Sequence, residues 1–432
     1  MLKKIKNIAL KTDRFLYKKF GSDKSTRVLV NLREAQTVFS LLNEIGQESK
    51  IKFVGGCVRK AICGEDIDDI DLATVLEPSE VKEKLSKENI KTIDTGISHG
   101  TITAIINKKK FEITTLRKDI STDGRHAKVE YTSNWEQDAL RRDFTINAIY
   151  ADNEGRIFDP LNGISDLHDG KIKFIGSQEK RIQEDYLRIL RYFRFSIQYS
   201  KTGYDLDTIR FIKQHINGLN KISNERIFSE LEKILKLKNL YNLFSNNLSN
   251  EIMQNIFPQF KYYKRLKKIN NLSPNIRKNY DNHLILALLI VDQTNDYEYF
   301  CHKYKTSHNL ENKLKKISTN FDNLKNLKFF SEVNIKKLIY LHDKNHVKDL
   351  LLFSFCENNK AKNLNIEKLI DYINTCKIPK FPISGDYLKD HGYKTGEVLG
   401  KKLKSLEEQW IKNNFAMDKK IVEKSLEKIN KN

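Results

Sequence analysis

The sequence predicts an α+β protein with a small mixed sheet near the front and helices through the rest. Three observations predict it. Short apolar runs bounded by turn residues lie between Ile51 and Leu116. Helical periodicity takes over from Gln178. From about residue 240 the chain is rich in Lys and Asn, with few prolines to interrupt a helix.

Asn31 to Gln47 carries helical spacing (Leu32, Ala35, Val38, Phe39, Leu42, Ile45) and is expected beside the first strand. Ile51–Val54, Asp69–Thr74, Thr101–Ile106 and Lys110–Leu116 read as strands, with a helix from Ser79 to Glu88 between the second and third. Asn107-Lys108-Lys109 joins the last two as a hairpin. The polar segment Lys118 to Trp135, with Gly124-Arg125-His126, reads as a mobile loop. Glu136 to Ala148 reads as a helix running towards a hairpin that turns at Asn153-Glu154-Gly155. Glu184 to Phe195 reads as one helix that buries Leu187, Leu190 and one of Phe193 or Phe195. A second charged helix holds Ser223 to Ile227 with Glu230, and Pro379 and Pro382 open a compact tail.

At 432 residues the chain exceeds a single core, so about two to four domains are expected. Lys and Arg number 77 against 56 Asp and Glu, a net charge of +21, which argues for a polyanionic partner. No apolar run is long enough to span a bilayer, so no membrane role is expected. The first twenty residues are basic but contain Asp13 and no continuous apolar stretch, and read as an ordinary extension rather than a targeting segment. Five scattered cysteines without a C-x-x-C pair argue against a disulfide framework and a structural zinc site. A reducing cytosol is the expected setting. The absence of a P-loop motif weakens an ATPase reading.

The chemistry concentrates in Gly55-Gly56-Cys57-Val58-Arg59 and Asp69-Ile70-Asp71. Strand residues two apart share a face, so Asp69 and Asp71 stand side by side while Ile70 and Leu72 face the core. Adjacent carboxylates repel unless cations neutralise them. The paired glycines open a helix whose N–H groups can receive a phosphate. Together these features describe phosphoryl or nucleotidyl transfer; taken alone, they also describe an edge strand with two solvated aspartates. Glu112 alternates away from Phe111 and Ile113, which makes it a candidate third carboxylate or a solvated strand residue. Arg141, Arg142, Asp143 and Asn147 gather charge suited to a triphosphate and ribose, or form a solvated helix face.

Asp185 and Arg188, three apart, are read as neighbours on one helix face. They form either an ordinary ion pair or a reader of base edges. An acceptor beside a donor complements cytosine (N4 amino, N3) and adenine (N6 amino, N1), and opposes guanine and uracil. Lys261 to Lys268 interleaves aromatic and basic residues, a composition suited to RNA contacts.

In order along the chain, these stretches resemble the motifs of one family. Gly55–Arg59 with Asp69–Thr74 resembles motif A of the class II tRNA nucleotidyltransferases and bacterial poly(A) polymerases. Arg141–Ala148 resembles motif B, and Asp159-Pro160 through Gly163 to Asp166 motif C. Glu184–Arg188 is similar to motif D, and Glu225-Arg226-Ile227 with Glu230 to motif E. Phe381–Asp386 through Leu406-Glu407 and Trp410-Ile411 resembles the C-terminal segment of many bacterial members.

The resemblance implies a polymerase-β-like nucleotidyltransferase head at 31–175, after a basic extension at 1–30. It implies a helical, nucleobase-reading neck at 176–240, a helical body at 241–375 and a helical, tRNA-binding tail at 376–432. The implied reaction is template-independent addition of C, C and A to the tRNA 3′ end from CTP and ATP, with the acceptor arm of tRNA as partner. Carried over by residue, Asp69 and Asp71 bind two Mg2+ ions, with Glu112 as a third catalytic carboxylate. Gly55, Gly56 and Arg59 meet the triphosphate, and Arg142, Asp143 and Asn147 the ribose and phosphates. Asp185 and Arg188 read the base, and Arg191 joins them in nucleotide binding. Lys60 stands where many members have an acid, and Tyr186 where a proline is common. A poly(A) polymerase and a CC-adding enzyme are the alternatives within the family. The Thr95–Thr101 and Asp123–Ala127 stretches favour the CCA-adding reading, and Lys118–Trp135 appears as a complete loop. A non-catalytic tRNA-binding protein would not need both aspartates.

Overall fold

The computed structural model describes residues 25–44, 48–96, 100–122, 127–269, 272–358 and 365–417. The N-terminal extension up to residue 24, Ile97–His99, and Gly124-Arg125-His126 with Asp123 fall outside them. The chain forms two compact units, Met1–Ile252 and Met253–Asn432.

The first unit carries the sheet. Its strands are β1 (Ile51–Val54), β2 (Ile70–Thr74), β3 (Lys91–Gly96), β4 (Thr101–Ile106) and β5 (Lys109–Thr115), followed by β6 (Arg117–Thr122), β7 (Ala127–Tyr131), β8 (Tyr150–Ala151) and β9 (Ile157–Phe158). Seven of them form one mixed sheet in the order β3-β4-β5-β2-β1-β8-β9. Within that sheet only β2 and β5 run parallel, in a register that sets Asp71 against Glu112. Phe53, Leu72, Phe111 and Ile113 are buried against Ala35, Val38, Phe39 and Leu42 of the helix Arg33–Leu42 and Val81 and Leu85 of the helix Pro78–Lys87. A fully buried side chain of that size contributes about 1.5–3 kcal/mol. Asn107 and Lys108, both at positive φ, make the two-residue turn between β4 and β5.

Several elements differ from expectation, each for a physical reason. Of the helix expected over Asn31–Gln47, Arg33–Leu42 forms and stops at Asn43, whose Oδ1 accepts from the Lys50 N–H at 2.8 Å; residues 45–47 lie outside those described, and a separate short helix, Arg27–Val30, precedes it. The strand β3 has no counterpart in the reading because it lies at the sheet edge with Ile93 exposed, so no apolar alternation marks it. The segment read as a mobile loop contains the β6–β7 ribbon. The helix expected over 136–148 ends at Arg141. Beyond it the backbone finds other partners: Thr145 N donates to Lys173 O and Ile175 N to Asp143 O. A single turn, Thr145–Asn147, follows.

The helix expected from Glu184 also breaks. Gln178–Glu184 ends at Asp185 (φ −152°, ψ 104°), and a new helix runs Arg188–Tyr199. Asp185 starts it, accepting from Leu187 N on Oδ1 and from Arg188 N on its carbonyl. Asp185 and Arg188 therefore do not lie on one helical face. Tyr186 covers Gly218, where a Cβ would sit 2.0 Å from its ring. That packing accommodates Tyr186 at this turn. Phe193 and Phe195 are both buried.

The described residues of the second unit hold helices and no strand. The helix Asn282–Ile290 is buried from Leu284 onward, beside the helices His308–Thr319 and Lys344–Glu357. Arg265, in the stretch read as an RNA contact, is instead buried. It donates to Leu288 O and Val291 O at that helix's end, pairs with Glu357 and stacks on Tyr262 at 4.0 Å. In the tail, Ile383, Leu388, Tyr393 and Leu406 share a small core. No helix of the described residues is long and apolar enough to cross a membrane.

Candidate active site

Gly55 follows β1 at φ +69°, ψ −119°, and caps the helix Gly56–Cys63, which begins at once. A Cβ at Gly55 would be strained and 3.4 Å from Asn147 O. The Gly55 N–H is taken by Ile149 O at 3.1 Å. Donors for a phosphate therefore begin at Gly56, in the first turn, where N–H groups lack intrahelical acceptors. A Cβ at Gly56 would lie 3.9 Å from Asp71 Oδ2, so the helix start opens onto that carboxylate.

Asp71 is half-buried on β2. Burial pushes its carboxyl up to about 6, Glu112 and Asp69 push the same way, and Arg142 and Arg59 oppose them. A carboxylate held in this condition is stabilised by a cation, so the residues present fit a divalent ion. Asp69 is exposed just before β2 and shares the cleft with Asp71. Glu112 meets Asp71 in register but is exposed and does not line the cleft. Among the described residues no three His, Cys, Asp or Glu side chains converge as a metal set. Glu112, in register with Asp71, raises that carboxyl as a neighbouring charge.

Beside the carboxylates stands a lattice of arginines. Buried Asp138 accepts from Arg141 Nε (2.8 Å), Arg142 Nη2 (2.9 Å) and the Tyr150 hydroxyl (2.8 Å). Burial alone would raise its carboxyl, but Arg142 and Arg141 outweigh it and hold it well below the usual range. Arg59 is buried, donates through Nη1 to Asn147 Oδ1, and stacks on Phe195 and Tyr199 at 4.7 and 5.1 Å. Its Nε is buried without a hydrogen-bond partner among the described residues, a donor that a phosphate oxygen would satisfy. Asn147 Nδ2 in turn donates to Asp143 Oδ1 at 2.8 Å.

Motif C braces this lattice. Asp159 accepts from Gly163 N and Ile164 N at the start of the helix Gly163–Asp169, and Asp166 accepts from Thr145 Oγ1 at 2.8 Å. A Cβ at Gly163 would come within 2.2 Å of Thr145 O, so glycine lets the two segments touch.

Asp185 and Arg188 face the same cleft with separate partners. Asp185 Oδ2 accepts from Arg226 at 2.8 Å, while Arg188 Nη1 donates to Glu184 (2.7 Å) and Arg181 O (2.9 Å). The cleft measures about 1380 Å³. It brings together eleven of the residues singled out in sequence (Gly55, Gly56, Arg59, Asp69, Asp71, Arg142, Asp143, Asn147, Asp185, Arg188, Arg191) and leaves out Glu112. Sequence reasoning missed the roles of Asp138 and Tyr150, which set the arginines, and of Arg194, which pairs with buried Glu230. A buried acid inside a run of arginines was the available signal for Asp138.

Comparison with known proteins follows the same lines. A family model described as the poly A polymerase head domain matches residues 51–173. Another, described as a probable RNA and SrmB-binding site of polymerase A, matches residues 205–264. The human CCA tRNA nucleotidyltransferase 1, mitochondrial, is 34% identical over 390 residues, covering 87% of this chain and 86% of that protein. The CCA-adding enzyme of Ligilactobacillus salivarius (strain UCC118) is 31% identical over 403 residues, covering 92% and 96%. In fold, the chain is similar to the Bacillus stearothermophilus CCA-adding enzyme in complex with CTP, with a TM-score of 0.70 at 22% identity over 92% of this chain and 97% of that one. It is also similar to the Thermotoga maritima enzyme complexed with tRNA, with a TM-score of 0.62 at 21% identity over 94% and 98%. By the identity and coverage of these relatives, the chain belongs to the CCA-adding tRNA nucleotidyltransferase and poly(A) polymerase family.

Proposed function

We propose that this chain adds C, C and A to the 3′ end of tRNA, without a template, from CTP and ATP. One observation carries the reading: a single cleft holds a carboxylate pair, an arginine lattice and a separate acceptor and donor at Asp185 and Arg188.

In the reaction, the terminal 3′-hydroxyl oxygen of the tRNA bonds to the α-phosphorus as its bond to the bridging oxygen breaks and pyrophosphate leaves. Asp69 and Asp71 would hold two Mg2+ ions, which when bound favour the attacking alkoxide and neutralise the departing pyrophosphate. The first-turn N–H groups from Gly56 on, with Arg59 and Arg142, grip the triphosphate. Asp143 and Asn147 lie beside that grip and receive the ribose, with Asp143 fixed by Arg191. These groups position reactants and neutralise charge, which is most of what phosphoryl transfer asks of a protein.

Selection of C and A over U and G falls to Asp185 and Arg188. Each Asp185 oxygen keeps a second lone pair beyond its contact with Arg226 or Leu187 N, so it can accept from a base amino group. The two contacts of Arg188 use Nη1 alone, and a guanidinium carries five donors. A reducing, cytosolic setting belongs to the same proposal and rests on the sequence alone, whose five scattered cysteines hold no C-x-x-C pair.

The test supplies a tRNA lacking its last three nucleotides with CTP and ATP, separately and together. Growth by three nucleotides only when both are present supports the reading. Growth that stops at two even with both nucleotides present makes it a CC-adding enzyme, a long A run makes it a poly(A) polymerase, and no growth overturns nucleotidyl transfer.

A further inference from the structure

One helix face spans the base-reading arginine, Asp143 and Arg59. On Arg188–Tyr199, residues 188, 191, 195 and 199 follow the three- and four-residue spacing of a single stripe. Arg188 stands at the base-reading end, Arg191 holds Asp143, and Phe195 and Tyr199 stack on Arg59. A helix of 12 residues is about 18 Å long at 1.5 Å per residue, so its two ends move as one rigid rod.

At its far end that rod is joined to the Arg59 helix through one side chain, Glu65. Glu65 Oε2 accepts from the Tyr199 hydroxyl and from Gln198 Nε2, both at 3.0 Å. Glu65 is itself fixed to the Arg59 helix: Gly64 ends that helix at φ +67°, and Glu65 N donates back to Lys60 O at 2.9 Å. The helix carrying Arg59 and the helix carrying Arg188 and Arg191 are thus linked at a point outside the carboxylate pair and the base-reading pair.

We propose that Glu65 and Tyr199 form a positioning latch that couples the triphosphate grip to base reading by fixing the Arg188–Tyr199 helix against Arg59. This deepens, and rests on, the nucleotidyl-transfer reading above. Without the latch, Tyr199 no longer holds one face of the Arg59 guanidinium in place, and the Tyr199 end of the rod can shift about its remaining anchors at Arg191 and Arg194. A tilt at its Tyr199 end moves Arg188 at the other, so triphosphate affinity and base choice weaken together.

The test uses the full chain and a tRNA ending one nucleotide short of the first C, comparing the wild type, Glu65→Gln, Tyr199→Phe and the double variant. Tyr199→Phe keeps the ring and deletes only the hydroxyl, which protects the fold. The latch predicts that KM for CTP rises about 5- to 10-fold in each single variant while kcat changes less than about 2-fold, since a bonding pair acts mainly on binding. It predicts a preference for CTP over UTP reduced by a similar factor, and a double variant no worse than the weaker single. Unchanged KM, unchanged preference, or additive losses would each overturn the latch, whatever happens to melting temperature. Failure of the wild type to add any nucleotide would instead overturn the underlying reading.

Discussion

Both Nε and Nη2 of Arg191 lie 2.6 Å from Oδ2 of Asp143, a buried residue 48 positions earlier. The contact joins the segment after the Trp135–Arg141 helix to the Arg188–Tyr199 helix. Breaking a buried pair by removing one partner strands the other charge, at a cost of about 3–5 kcal/mol. Arg191 is partly exposed, so the lower end applies. Arg191→Ala should lower unfolding free energy by about 3 kcal/mol, measured in urea, and raise KM for both nucleotides. A change within about 0.5 kcal/mol, the range of ordinary surface substitutions, would remove the pair from the stability account.

The same pair sets an acid limit. Burial alone would raise the Asp143 carboxyl, but Arg191, the Asn147 amide and Arg188 hold it at about 2. The folded value lies below the ordinary 3.8, so its contribution is complete above about pH 4 and is lost as pH falls through about 2. Asp138 is depressed in the same direction and acts over the same acid range. Between about pH 5 and pH 2 the melting temperature of the wild type should therefore fall more steeply than that of Asp143→Asn. Parallel curves would show that Asp143 gains nothing from its partners.

Asp71 presents the opposite electrostatics. Burial, Glu112 and Asp69 push its carboxyl up to about 6, so at neutral pH the ionised form costs stability unless a cation is present. Asp71→Asn should abolish nucleotide addition, leave tRNA binding largely intact, and leave the metal-free melting temperature unchanged or raised by a few degrees. Asp69→Ala should abolish addition equally. Near-normal turnover by either variant would sink the metal assignment, and a large drop in metal-free stability for Asp71→Asn would assign that carboxylate a structural role.

Where the sequence was legible, burial made it so. The strands β1, β2, β4 and β5 follow apolar patterns, and their residues Phe53, Leu72, Ile102 and Phe111 are all in the core. Chain segments whose shape is decided by distant partners were not legible. Nothing local in Arg142–Ala148 announces that Lys173 and Ile175 will take up its backbone groups, so a helix was expected where an irregular turn displays Asp143 and Asn147. The break at Asp185 is similar. A carboxylate that bonds its own downstream N–H stops one helix and starts the next. In the Lys261–Lys268 stretch, composition was misleading because Arg265 is spent on helix-end carbonyls inside its own unit.

That break at Asp185 bears on base selection. On a continuous helix Asp185 and Arg188 would have paired with each other; separated, they take other partners, and Arg226 holds one oxygen of Asp185 at 2.8 Å. Asp185→Ala removes the acceptor that a base amino group needs, and Arg188→Ala removes the donor. Either should reduce discrimination against UTP by about 10- to 100-fold, the worth of one bidentate pair. Arg226→Ala leaves both readers in place but frees the Asp185 carboxylate to turn, so its loss of discrimination should be smaller, with kcat for CTP better preserved. Single-nucleotide incorporation with each of the four nucleoside triphosphates measures this order directly. Selectivity in Arg226→Ala equal to the wild type would show that Asp185 needs no bracing, and unchanged selectivity in Asp185→Ala would remove base reading from this pair.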